Sequence, residues 1–127
     1  MRPGERMVKR ISPIILTLNQ EEGSLLLNEG IIEALGWPRQ VQVMIQPTTK
    51  QLLLRACSVE DISAVVLDPA SAEPCEISGR SLMKRIRALL GWGDTMPRMC
   101  YGEQIPDLQA IRFNLEEAEE LELTEQL

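Results

Sequence analysis

One four-residue ending occurs twice in this chain, and it constrains the fold more than any other feature. Ala34-Leu35-Gly36-Trp37 corresponds to Leu89-Leu90-Gly91-Trp92, and the two segments hold both tryptophans. Upstream of them Ile15 aligns with Val65, Leu16 with Val66, Leu27 with Ile77 and Asn28 with Ser78, a constant displacement of 50 positions. A supersecondary unit that recurs within one chain usually cannot bury its apolar face alone. Each copy is therefore expected to complete the other's sheet.

The elements of the two copies follow the same order. Ile14 to Leu18 is a short apolar strand, closed by the polar turn Asn19-Gln20-Glu21-Glu22-Gly23. Leu25-Leu26-Leu27 is a second strand, and Asn28 can cap the helix that carries Ile31, Ile32 and Leu35. Gly36 and Pro38 end that helix. Val41, Val43 and Ile45 alternate with polar or flexible residues as a half-buried strand does, Pro47 to Lys50 turns, and Gln51 to Cys57 returns.

In the second copy Ala64 to Leu67 and Cys75 to Ile77 are the strands, and Ser78 or Ser81 can cap the helix. Leu82, Met83, Ile86, Leu89 and Leu90 form its apolar face. Met96 to Gly102 and Ala110 to Leu115 form the closing hairpin around Ile105 to Leu108. The second helix is five residues longer than the first, and the second hairpin is expected to gain a few more. Leu115 to Leu121 reads as the start of a C-terminal helix with acid in its first turn.

These patterns predict an α+β fold: a small β-barrel, or two interlocked antiparallel sheets, from two pseudo-repeats that each run strand–strand–helix–hairpin. The expected organisation is a single domain over 1–127, with one pseudo-repeat at 12–57, the other at 62–115 and an acidic tail at 116–127. With aromatics at 3% the core must be aliphatic, with methionine as filler. The tryptophans are expected to pack the helix ends against the barrel.

Several function classes are disfavoured by the residues that are missing. The chain has no histidine, which removes Ser-His, Cys-His and His-metal arrangements. It has no P-loop or GxGxxG segment, and Cys57, Cys75 and Cys100 form no CxxC pair. Glu21-Glu22 and Glu60-Asp61 are carboxylate pairs of the kind usually found in solvated turns. The expectation is a protein that is not an enzyme, uses no cofactor or metal, and has no small-molecule substrate. No apolar run approaches the roughly 20 residues a membrane span needs. Three widely spaced cysteines suit a reducing compartment, so a cytoplasmic protein is expected.

Charge supplies the candidate site. The last twelve residues hold six of the nineteen acids and no base, which leaves thirteen acids against thirteen bases elsewhere. Arg6, Lys9 and Arg10 precede the first strand. Arg80, Lys84, Arg85 and Arg87 lie on the second helix with no acid among them. Arg80, Lys84 and Arg87 share a stripe about 60° wide. Like charges at these spacings mildly oppose helix formation, so a stripe retained at that cost points to a phosphate or acidic partner. The alternative is a solvated face whose bases pair with the acidic tail.

The segment from Ile14 to Cys57 resembles the SpoVT/AbrB-type swapped-hairpin unit of bacterial transition-state regulators and MazE-like antitoxins. The likeness is carried by strand, turn, strand, a short helix ending Leu35-Gly36, and the hairpin Val41-Gln42-Val43-Met44-Ile45 with Leu52-Leu53-Leu54. It implies that one polypeptide carries both halves of a barrel that two chains otherwise build. It also implies a DNA-binding regulator or antitoxin-like protein with double-stranded DNA as partner, for which the charge pattern offers Arg6, Lys9, Arg10, Arg80, Lys84 and Arg87 as nucleic-acid contacts. The first loop, where that family tends to place bases, is Asn19-Gln20-Glu21-Glu22 here, and two acids there would repel phosphates. The alternative is therefore a protein–protein interaction module of the same fold, with a protein partner or a second copy and no DNA.

Overall fold

The computed structural model describes residues 13–57, 65–66 (backbone only) and 75–121. Period-two burial of leucine and isoleucine fixes the strands. Leu16 and Leu18 point inward from β1 (Ile15–Asn19), and Leu25 and Leu27 from β2 (Ser24–Leu27). β3 (Gln40–Gln46) buries Val41, and β4 (Gln51–Ala56) buries Leu52 and Leu54. β5 (Val65–Val66) and β6 (Cys75–Ser78) follow, then β7 (Arg98–Ile105), β8 (Ala110–Asn114) and β9 (Glu119–Glu120). Phe113 on β8 is the single phenylalanine and is fully buried.

Among the described residues these strands form one antiparallel sheet in the order β5-β3-β4-β8-β7-β1-β2-β6, with β9 beside β7. Seven of them have four residues or more, while β5 and β9 have two each. With two α-helices among the described residues, this is a small α+β protein. The expected strand order along the chain is observed, although β7 begins and ends later than the Met96–Gly102 expected for it.

The two longer hairpins match pair for pair. Gln46 faces Gln51 at the tip of β3–β4, and Ile105 faces Ala110 at the tip of β7–β8, 59 positions later on both strands. The same displacement carries Val43↔Leu54 onto Gly102↔Phe113. Each tip is a four-residue turn that opens on proline (Pro47, Pro106) and ends on a left-handed residue, Lys50 at φ 56° and Gln109 at φ 48°. Two backbone bonds tie the hairpins reciprocally, Ala56 N–H to Gln109 O and Leu115 N–H to Lys50 O, each 3.0 Å. The extra residues therefore lie before β7, in the link after the second helix, and not within the hairpin.

α1 (Glu29–Ala34) starts as the sequence predicts. Asn28 Oδ1 accepts from Ile31 N–H at 3.1 Å and from Ile15 N–H at 3.2 Å, while Asn28 Nδ2 donates to Pro13 O at 2.8 Å. One side chain both caps the helix and fastens it to β1. Ile31, Ile32 and Leu35 are buried from this helix.

α2 (Arg80–Leu90) departs from expectation at both ends of its apolar face. Neither Ser78 nor Ser81 caps it, because the N-cap is Gly79 and no side chain bonds there. Gly79 N–H instead donates to Gly23 O at 2.8 Å, so a tertiary bond to the β1–β2 turn takes the place of a cap. Met83 and Ile86 are the buried residues of α2, with Leu82 and Leu90 packed beside them, while Leu89 is half-buried on the flank.

Other departures concern exposed residues. Trp37 is 51% exposed, at a backbone φ of 55°, whereas Trp92 packs on the core. Met44 and Met96 are exposed, so methionine is not uniformly core. The expected C-terminal helix is a 3-10 turn (Leu115–Glu117) followed by β9, whose Glu119 and Glu120 face Met99 and Arg98.

Candidate nucleic-acid interface

The basic stripe is positioned by a close approach between α2 and the β1–β2 turn. Gly23 has φ 70°, and a Cβ there would sit 2.7 Å from Arg80 Cγ. The glycine thus lets the aliphatic stem of Arg80 lie on the turn. Between turn and helix runs a groove of about 210 Å³, walled by Gln20, Glu21 and Gly23 on one side and by Arg80, Lys84 and Arg87 on the other. Thr95 and the buried Met83 complete its lining.

The three stripe residues are brought together as the helical spacing predicts, but they are not equivalent. Arg80, Lys84 and their neighbour Arg85 are exposed, and among the described residues none of them makes an ion pair. Arg87 is half-buried, and its Nη2 donates to Asp94 O at 3.1 Å. Arg6, Lys9 and Arg10, and also Glu60 and Asp61, lie outside the described residues.

Asp94 ties together two groove residues, Gln20 through its carboxylate and Arg87 through its backbone oxygen. Its carboxylate accepts from Met96 N–H at 3.0 Å, from Arg98 Nη2 at 2.8 Å and from Gln20 Nε2 at 3.3 Å. The Met96 amide, with Arg98 beside it, holds the Asp94 carboxyl below its ordinary range. Arg98 also lies 4.4 Å from the centroid of the Trp92 ring, a cation–π contact. Asp94 is occupied by these donors, which leaves Glu21 as the acid that lines the groove.

Gln20 is the residue that sequence reasoning missed. A glutamine in a polar turn reads as solvated, yet it is only 5% exposed. Its Nε2 donates to Asp94 Oδ1 and Met96 O, while its buried Oε1 has no partner among the described residues. No local pattern signals this, because its neighbours come from 74 and 76 positions away.

The tail does not neutralise the stripe within the described residues. Glu116 approaches Lys50 at 3.7 Å and Glu120 approaches Arg98 at 3.8 Å. Glu122 and Glu125 lie outside them. Among the described residues no group of three or more metal-ligating side chains is present, and no helix is long and apolar enough to cross a membrane. No protein-family model matches the chain, and neither does any curated protein or solved structure.

Proposed function

We propose that this chain is a bacterial cytoplasmic, non-enzymatic DNA-binding regulator or antitoxin-like protein that meets duplex DNA with α2. The carrying observation is that Arg80, Lys84 and Arg85 are exposed on a helix without acids and have no ion-pair partner among the described residues. Solvated cations held on a helix supply the counterion-releasing contacts that dominate DNA affinity.

The same reading takes the fold to be an internally duplicated, swapped-hairpin barrel of the SpoVT/AbrB type. Its support is the symmetry of the pairings. Exchanging β1 with β5, β2 with β6, β3 with β7 and β4 with β8 turns six of the seven pairings along the sheet into pairings of that same sheet. The seventh, β1–β2, has β5–β6 as its counterpart, and the residues joining those two strands lie outside the described ones. The hairpins are interleaved, since β3 of the first half pairs with β5 and β7 of the second half pairs with β1.

A second reading, a protein–protein module, is favoured by Glu21 in the groove and by the exposed Trp37 and Tyr101. Fluorescence anisotropy of a labelled duplex across a salt series separates the two readings. The DNA reading expects binding whose log–log salt slope flattens by about 0.9 for each of Arg80 and Lys84 changed to alanine. Absence of binding at low salt rejects it and leaves the protein–protein reading.

A further inference from the structure

α1 and α2 end in the same way but carry opposite charge. Trp37 N–H donates to Ile32 O at 2.9 Å and Trp92 N–H to Arg87 O at 3.0 Å, after Gly36 at φ 82° and Gly91 at φ 72°. Each of these pairs is 55 positions apart. At that spacing Lys84 corresponds to Glu29, Arg85 to Gly30 and Arg87 to Ile32. Glu29 and Glu33 are exposed on α1, while Gly30 and Ile32 are buried. Each helix occupies the same place in its half, after the second strand and before the long hairpin. Where the halves meet, Leu26 faces Glu76, its own counterpart at a displacement of 50.

A protein with two equal helices presents two equal faces and so matches a duplex site with two-fold symmetry. Here the second face would bring Glu29 and Glu33 against a surface carrying one negative charge per roughly 1.7 Å. We infer that the chain engages duplex DNA from one side only, through the exposed bases of α2, on a single asymmetric stretch and not on two symmetry-related half-sites. This inference rests on the DNA-binding reading and gives that reading its substrate class.

The test uses the full chain and Glu29→Gln/Glu33→Gln, which keeps side-chain length and helix propensity, with matched thermal melts as the folding control. At about 0.15 M salt the screening length is about 8 Å, so only carboxylates close to phosphate are felt. One-sided binding expects the double variant to bind a labelled duplex within about threefold of the parent, while Arg80→Ala/Lys84→Ala flattens the salt slope by about 1.8. Tightening of the Glu29/Glu33 variant beyond threefold places α1 against DNA as well and overturns this inference while leaving DNA binding intact. An unchanged slope in the Arg80/Lys84 variant also overturns it. A parent chain that binds no duplex at any salt overturns the DNA reading and the inference together.

Discussion

Leu35 lies next to the glycine that closes α1, whereas Leu89 stands two places before the one that closes α2. Leu35 is 2% exposed, whereas Leu89 is half-buried, as is Leu90 beside Gly91. Leu35→Ala should therefore cost about 2–5 kcal/mol in urea denaturation, and Leu89→Ala less than about 1 kcal/mol. Equal losses at the two sites would show that α2 turns a different face inward. Cys100 gives a second residue-level test. Burial, with Glu117 and Glu119 adding to it, pushes its thiol from 9.0 up to about 11, and the thiol donates to Asn114 O at 3.1 Å. The folded state thus holds this proton more tightly than the unfolded one. Its contribution to stability is whole below pH 9.0 and is lost as pH rises toward 11. The urea midpoint of Cys100→Ser should accordingly fall less steeply across that range than the parent's. Parallel curves would remove the assignment.

At the scale of elements, what was legible in the sequence is what local periodicity encodes. Alternation along Val41 to Ile45, the proline-led turns and the Asn28 cap needed no partner to be recognised, and each is present. The misreadings share one cause, which is that a distant segment overrides a local preference. Glu, Ala and Leu favour helix after Leu115, but β8 leaves β7 at Gly102 and the vacated edge captures Glu119 and Glu120 as β9. Ser78 and Ser81 are better caps than Gly79, but the Gly79–Gly23 bond satisfies the helix start instead. In the candidate site the charges of α2 were legible and the groove was not, because Gln20 and Thr95 meet Arg87 only through the fold. Truncation after Leu115 distinguishes the two descriptions of the tail. It should remove strand pairing and the Arg98–Glu120 contact, lower stability by about 1 kcal/mol and leave the helical circular-dichroism signal unchanged. A drop in helical signal would restore the helix.

For the whole molecule, the order of strands across the sheet differs sharply from their order along the chain. Neither of the first two hairpins is flanked by the other: β1 and β2 find β7 and β6, while β3 and β4 find β5 and β8. Ile15 lies opposite Tyr101, a partner 86 positions later. During synthesis at about 5–20 residues per second, β1 therefore waits several seconds beside an open edge before β7 exists. Long-range closures of this kind slow folding into the millisecond-to-second range. A refolding trace that follows Trp92 should accordingly be slow, and substitutions in β7 that weaken its pairing with β1 should leave the early hairpin β3–β4 untouched. Refolding in microseconds would contradict this topology. The interleaving that joins the two halves into one body thus also makes the last third of the chain the timekeeper for the first.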